Sequence, residues 1–295
     1  MTERNNQDRV AVPQQVPPES TQTNQIQIPN VEKPQPMQFS VPTEFVDLPS
    51  KGKYYPQGHP LRGRESVEVK FMTAKEEDIL ASTALIRRGV VFERLLQSVM
   101  LDRIDPNDLL IGDKNALLIA TRISGYGPEY ETEVQCPSCS NKSEFTFDLS
   151  EAQVKSEAQP IKYGLLEEEA AETQNGTFVF EVPALNCTVE VKLLNGHDEK
   201  RLSQITKAKN KNKLVESFVT DTLKSYIVSV NGDSSRATVN QFVDTLPARQ
   251  SRYIRTAYRR IVPTVSIESE FSCSNCGHTQ DLEVPLNADF FWPNK

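Results

Sequence analysis

From Val41 onward, the apolar positions of the chain switch between a strand period and a helix period. Val67-Glu-Val-Lys-Phe71 is apolar at every second position, the pattern of a half-buried strand. Ahead of it, Phe45-Val-Asp-Leu-Pro-Ser-Lys-Gly-Lys-Tyr-Tyr-Pro56 runs apolar, then turn-forming, then aromatic, punctuated by Pro49 and Gly52. Thr73-x-x-Glu76 is a capping-box signature that predicts a helix start. A second helix is predicted after Gly89, where Val91, Leu95 and Val99, with Phe92 and Leu96, recur at helical spacing. Asp105-Pro106 predicts an N-cap with proline at the first helical position. Leu117, Leu118 and Ala120 to Ile123 predict a buried helix closed by Gly125 and Gly127. Tyr130 to Gln135 and Phe145 to Leu149 predict strands on either side of Cys136-Pro-Ser-Cys139.

After an acidic, Ala/Glu-rich stretch over 150–177, the pattern starts again. Val67-Glu-Val-Lys-Phe-Met matches Val189-Glu-Val-Lys-Leu-Leu, and Lys75-Glu-Glu-Asp-Ile-Leu matches His197-Asp-Glu-Lys-Arg-Leu. The helix carrying Phe92, Leu95, Leu96 and Val99 matches one carrying Val215, Phe218, Val219, Leu223, Tyr226 and Ile227. Thr238-x-x-Gln241 predicts another helix start, and a further helix is predicted from Pro247 to Ile261. An alternating strand (Val265 to Phe271), Cys273-Ser-Asn-Cys276 and an exit strand (Leu282, Val284, Leu286) close the second unit as the first one closed. The units are offset by 122 positions at the strand (67 to 189) and by 137 at the cysteines (136 to 273). A shared element order through such a shift predicts an internal duplication with loops of different length.

Composition adds a boundary and a compartment. Residues 1–40 are rich in Gln, Asn and Pro, and Phe39 is their one aromatic residue, so they are expected to form a disordered arm. The 295 residues are 37% hydrophobic and 25% charged, as in ordinary globular chains. A net charge of −7 and a pI near 5.2 make the whole chain a poor default binder of nucleic acid. No apolar run approaches the roughly 18 residues that cross a bilayer, and the first residues carry no apolar signal core. The expected setting is a reducing one, where paired Cys-x-x-Cys motifs read as metal ligands rather than disulfides.

Each Cys-x-x-Cys is predicted at the tip of a hairpin. The two-residue spacing lets a tight turn aim both thiolates at one ion. Two ligands cannot close a tetrahedral zinc site, but Cys136, Cys139, Cys273 and Cys276 together can, at Zn–S distances of roughly 2.3 Å. Between Cys139 and Cys273 lie 133 residues, where a compact ribbon has about 15–20. The entropy of closing so long a loop grows only logarithmically. A redox pair would need a helix N-terminus to lower a thiol pKa, and a catalytic zinc would keep one position open. The expectation is therefore one structural Zn²⁺ per chain. Cys187, next to the predicted strand Thr188 to Leu193, reads as a small buried apolar residue. His278 reads as an exposed turn residue, superfluous as a ligand beside four thiolates.

The predicted fold is α+β: two duplicated units, 41–150 and 178–295, joined by a linker over 151–177. Each unit ends in a zinc-knuckle hairpin, and the two hairpins share one zinc-ribbon-like site. No catalytic residue is expected. His59, His197 and His278 are the only histidines, and no phosphate loop, nucleophile elbow or His-Glu-x-x-His occurs. Along the predicted helix 249–260, Arg252, Arg255 and Arg259 fall on one face and Ile254, Tyr258 and Ile261 on the other. With Lys207 to Lys213, this is the case for an alternative class, a zinc-ribbon regulatory protein that binds nucleic acid. The plainer reading is an amphipathic helix with a solvated or subunit-facing basic side. In Asp289-Phe-Phe-Trp-Pro-Asn-Lys295, Phe290 or Trp292 is expected to fold over the second hairpin or to serve as a docking anchor.

Three motifs resemble one family. Leu48-Pro-Ser-Lys-Gly-Lys-Tyr-Tyr-Pro56 followed by Val67-Glu-Val-Lys-Phe-Met-Thr-Ala-Lys-Glu-Glu-Asp-Ile-Leu80 is similar to the start of T4-type tailed-phage baseplate hub proteins. Ile111-Gly-Asp-Lys-Asn-Ala-Leu-Leu-Ile-Ala-Thr-Arg-Ile-Ser-Gly-Tyr-Gly127, leading into Cys136-Pro-Ser-Cys139, extends the resemblance over about 45–150. The second unit lacks the Gly-Asp-Lys block and the Leu-Pro-Ser-x-Gly turn. The resemblance implies a non-enzymatic, oligomeric protein, incorporated in the baseplate hub or acting during hub and tape-measure assembly. It implies other tail proteins as partners, no membrane, and residence in the virion tail after assembly in the host cytoplasm.

Overall fold

A computed structural model of the chain describes residues 40–163, 166–211, 217–284, 286 and 288–291. The predicted arm, apart from Ser40, lies outside the described residues, as do Val215 and Trp292. The segment from Val41 onward is one unit with mixed helices and small antiparallel sheets.

Strands β1 (Thr43–Asp47) and β2 (Ser66–Lys70) pair antiparallel, and the turn-rich run between them folds into a compact loop. Gly52 in that loop has φ 67°, and a Cβ there would stand 2.3 Å from the Leu61 carbonyl oxygen. Helix α1 (Ala74–Ala81) starts at the predicted capping box: the Thr73 N–H and hydroxyl both donate to the Glu76 carboxylate, at 2.9 and 2.6 Å. Helices α2 (Thr83–Arg88) and α3 (Val91–Val99) follow, and α3 buries Val91, Leu95, Leu96 and Val99. The chain then bridges back to β2, Met100 beside Val69. Asp105-Pro106 does not open a helix. The Asp105 carboxylate instead accepts the Asn107 N–H at 2.9 Å and closes a local turn. Helix α4 (Ile111–Tyr126) begins later, after extended Leu110, and runs through Gly125 to end at Gly127. Strands β3 (Glu129–Gln135) and β4 (Lys142–Asp148) form the first hairpin.

The acidic segment carries short strands: β5 (Gln153–Lys155), β6 (Ile161–Tyr163), β7 (Leu166–Glu168) and β8 (Ala171–Glu172). The second half continues with β9 (Thr177–Val182), β10 (Cys187–Lys192), α5 (Gly196–Lys211), α6 (Phe218–Tyr226) and β11 (Ile227–Val230). The strands β8 to β11 form one sheet in the order β11-β10-β9-β8. Ile227, expected to extend the α6 stripe, opens β11 instead. Helix α7 (Arg236–Thr245) is capped three residues ahead of the predicted Thr238, because Ser235 takes the cap and accepts the Thr238 N–H. Helix α8 (Ala248–Ile261) follows Pro247 as expected. The single strand expected over Val265 to Phe271 is split at Ile267 into β12 (Thr264–Ser266), which pairs with β5, and β13 (Glu268–Ser272), which pairs with β14 (Thr279–Glu283). Among the described residues no helix is long and apolar enough to cross a membrane.

Two hydrophobic cores result. The first gathers β1–β2, α1 to α4 and the first hairpin; the second gathers β9 to β11 with α6 to α8. Phe290 and Phe291 are buried in the first core, not over the second hairpin as expected: Phe290 lies 5.5 Å from Tyr130, and Phe291 lies 5.6 Å from Phe92. The chain leaving β14 therefore crosses back to the first half, where buried aromatic rings offer more contact than a narrow hairpin does.

The motif blocks of the sequence meet at the start of α4. Asp113 is fully buried and accepts hydrogen bonds from the Ser50 N–H (2.9 Å), the Ser50 hydroxyl (2.5 Å) and the Tyr55 hydroxyl (2.8 Å). Burial pushes the Asp113 carboxyl above its ordinary pKa, against the pull of these donors. A Cβ on Gly112 would lie 2.2 Å from the Pro263 carbonyl oxygen, so α4 lies flush on the chain entering β12. Lys114 reaches Glu199 on α5 at 2.5 Å.

A second buried carboxylate gives a pH signature of the opposite sign. Burial alone would raise the Glu76 pKa, but donors on Lys70, Ser98 and Thr73 outweigh it and hold the carboxyl down at about 2. A depressed carboxylate contributes stability that is full above its unfolded pKa and lost as pH falls through the folded one. Glu76→Gln is expected to lower the melting temperature at neutral pH. The gap to wild type should close as the pH drops from 4.5 towards 2. A gap that stays constant through that window would remove Glu76 from the pH dependence.

Candidate metal centre

The two Cys-x-x-Cys turns are built alike. In the first, the Cys136 N–H donates to the Asn141 carbonyl at 2.8 Å and the Ser140 N–H to the Cys136 carbonyl at 2.9 Å. In the second, the Cys273 N–H donates to the His278 carbonyl at 2.9 Å and the Gly277 N–H to the Cys273 carbonyl at 2.9 Å. The residue after each second cysteine is left-handed, Ser140 at φ 57° and Gly277 at φ 68°. That conformation curls the turn back so both thiols of a knuckle point the same way.

The hairpin tips face each other. Cys136 Sγ lies 3.7 Å from Cys276 Sγ, and Cys139 Sγ lies 3.7 Å from Cys273 Sγ. The four sulfur atoms all lie within 4.8 Å of one another. These contacts are far longer than the roughly 2.05 Å of a disulfide. They match the edge of a tetrahedron with metal–sulfur bonds of about 2.3 Å, which is roughly 3.8 Å. Phe271 is buried between the hairpins and meets Phe145 edge-on at 5.7 Å, with Val134 and Leu282 alongside. This small apolar patch holds the tips in register. Cys136 and Cys273 are buried, Cys139 is half-buried and Cys276 is exposed, so one side of the cluster is open to water.

The electrostatics favour a cation. The Asn275 amide donates to Cys139 Sγ at 3.5 Å. That bond, helped by the Asn141 backbone, lowers the Cys139 thiol to about 6. At Cys276 the His278 backbone pulls the thiol down, but the neighbouring Cys139, burial, Cys136 and Cys273 together outweigh it and the thiol rises to about 11. One thiolate thus forms readily and opposes the next, an opposition that a divalent ion at the centre removes. The donor set of four thiolates suits zinc.

The other expected residues fall elsewhere. Cys187 is the first residue of β10, buried, with its thiol pushed up by burial. His278 is half-buried, and its ring is not part of the sulfur cluster. His59 stacks on Tyr55 with ring centroids 4.4 Å apart. His197 contacts Asp108 at 3.0 Å and, with Asp105, forms a second, exposed group of donor atoms. On α8, Arg252, Arg255 and Arg259 are exposed while Ile254 and Ile261 are buried and Tyr258 is half-buried, the predicted division of faces. The Asp113 network and the Asn275 contact were not foreseen. The Gly-Asp-Lys block was visible as a motif, but nothing local marks its carboxylate as buried.

Comparison with individual curated proteins and with solved structures returns no significant match. The profile of one family, T4 bacteriophage base plate protein, matches residues 41–292. That span takes in both hairpins, all four clustered cysteines and the Asp113 network. The chain belongs to the T4 bacteriophage base plate protein family.

Proposed function

We propose that this chain is a non-enzymatic component of the base plate hub of a contractile tail, incorporated there or acting during hub and tape-measure assembly. One Zn²⁺ held by Cys136, Cys139, Cys273 and Cys276 would lock its two halves together. The observation that carries the reading is the sulfur tetrahedron, whose halves come from hairpins 137 positions apart within a base plate family match. Bound there, the ion supplies charge neutralisation and a fixed angle between hairpins, with no open position for a reacting water. The chain's own residues supply the rest: Asn275 and the backbone N–H groups of the turns hold the thiolates, and Phe145 and Phe271 keep the tips aligned.

Several parallels support a duplicated architecture. Lys70 pairs with Glu76 at 2.8 Å at the start of α1, and Lys192 pairs with Asp198 at 2.8 Å at the start of α5. The Thr73 N–H donates to Glu76, and the Asn195 N–H donates to Asp198. Helices α3 and α6 are each 9 residues long. Each is followed by a residue paired to the preceding strand, Met100 to Val69 and Ile227 to Val191. On this reading the Gly-Asp-Lys block missing from the second unit is the one that joins the units, at Gly112 against Pro263 and at Lys114 to Glu199, so one copy suffices.

The reading places the protein in the virion tail, among other hub proteins and the tape measure, after assembly in the host cytoplasm. Gradient-purified virions analysed by mass spectrometry are expected to contain the chain at a fixed stoichiometry. Its absence from virions would leave only the assembly role, and tails that form normally without the gene would end the hub reading.

A further inference from the structure

Two kinds of exposed surface of opposite charge lie on this chain with almost no counter-charge of their own. The first is α8, which contains five arginines and no acidic residue in a chain of net charge −7. Arg252, Arg255 and Arg259 are exposed along one side, and among the described residues none of the three forms an ion pair. Like charges three or four residues apart on a helix repel. The stripe therefore costs the isolated chain stability.

The second kind is the outer side of each cysteine hairpin, turned away from the Phe145–Phe271 contact. In the first, Glu129 lies directly opposite Asp148, and Glu133 opposite Glu144. In the second, Glu268 lies opposite Glu283, and Glu270 opposite Asp281. All eight are exposed. Carboxylates opposed across an antiparallel pair stand about 5 Å apart and destabilise it. Lys142, 2.5 Å from Glu133, is the cation on these strands. Both hairpins thus repeat the same unfavourable arrangement.

Each face lacks what the other offers. We propose that the partner is a second copy of this chain: α8 of one copy docks on the outer carboxylates of the second hairpin of the next, Glu268, Glu270, Asp281 and Glu283, which no cation on that hairpin's strands offsets. The dimensions agree. Arg252 to Arg259 spans about 10 Å of helix, and the five residues of β13 span about 13 Å of strand. Guanidinium forks suit paired carboxylates better than ammonium groups do. A contact between two different faces is heterologous, so it closes a ring or extends a filament rather than stopping at a two-fold dimer. The inference stands apart from the hub reading and from the bound metal.

Sedimentation equilibrium of the full-length protein tests it. The mass should rise above 33.2 kDa with concentration at low salt. The association constant should fall at least about tenfold between about 0.05 and 0.5 M salt, as exposed charges are screened. Arg252→Glu/Arg255→Glu/Arg259→Glu should be monomeric, and so should Glu268→Lys/Glu270→Lys/Glu283→Lys. An equimolar mixture of the two should associate again, because each then presents the complement of the other. A wild type that stays monomeric at low salt, variants that still associate, or a mixture that does not would each overturn the proposal. So would a monomer that binds duplex DNA with a steep salt dependence, which would assign the stripe to a polyanion.

Discussion

Purified protein is expected to hold one zinc ion per chain, and Cys273→Ser to lose both the metal and roughly 4 kcal/mol of stability. The loss is large because the two sulfur pairs come from separate hairpins. Without the ion, three thiols face one another around a site where one thiolate already opposes the next, and the small Phe145–Phe271 contact is left to hold the tips. At this chain length the drop corresponds to roughly 10 °C in melting temperature. Cys187→Ser should keep the zinc, since Cys187 lies outside the sulfur cluster. The exposed Cys276 gives chelators a route in, so extraction should be possible from the folded state. Metal analysis with thermal unfolding decides the matter. Two zinc ions per chain, or full occupancy in Cys273→Ser, would sink the shared site.

Asp113→Ala is expected to cost about 3–5 kcal/mol, a comparable effect with no metal involved. The substitution leaves the Ser50 N–H, the Ser50 hydroxyl and the Tyr55 hydroxyl without their acceptor in a fully buried place. It also loosens the seat of α4, because the Tyr55 hydroxyl in turn accepts the Leu110 N–H at 3.1 Å. Asp113→Asn keeps an acceptor for the Ser50 N–H and should cost about half as much. The pH dependence has a definite sign. A carboxyl raised by burial stabilises the fold most below its unfolded pKa, and that share is lost as pH rises through the folded one. The advantage of wild type over Asp113→Asn should therefore be greatest in acid, the reverse of the Glu76 behaviour. Denaturant unfolding across pH measures both; an Asp113→Ala protein as stable as wild type would remove the network from the account.

The helices with strong periodicity and the hairpins flanking the cysteines were legible because local pattern decides them. The α3 stripe buries the residues its spacing selects, and Thr73 and Glu76 form the cap their spacing predicts. Asp105-Pro106 misled because Asp before Pro caps a turn as readily as a helix, and only the packing of Leu109 and Leu110 settles where α4 starts. Thr238 lost its cap to Ser235 because both residues are competent and Asp233 already holds the Thr238 hydroxyl at 2.6 Å. The sulfur cluster was legible from spacing alone, since two Cys-x-x-Cys pairs have few other uses in a reducing setting. The destination of Phe290 and Phe291 was not, because a terminal aromatic pair carries no record of which core receives it.

That destination bears on how the protein is made. Phe92 is in place early, but its ring partner Phe291 is synthesised about 200 residues later, and Cys273 and Cys276 arrive only shortly before it. At about 5–20 residues per second, a nascent first half waits roughly 10–40 s for the groups that complete it. Folding of the amino-terminal core thus finishes only once translation has passed Phe291. A chain that stops before Phe290 would leave Tyr130 and Phe92 without their ring partners, and one that stops before Cys273 would also carry only half of the sulfur cluster. Such a product is a ready substrate for proteolysis.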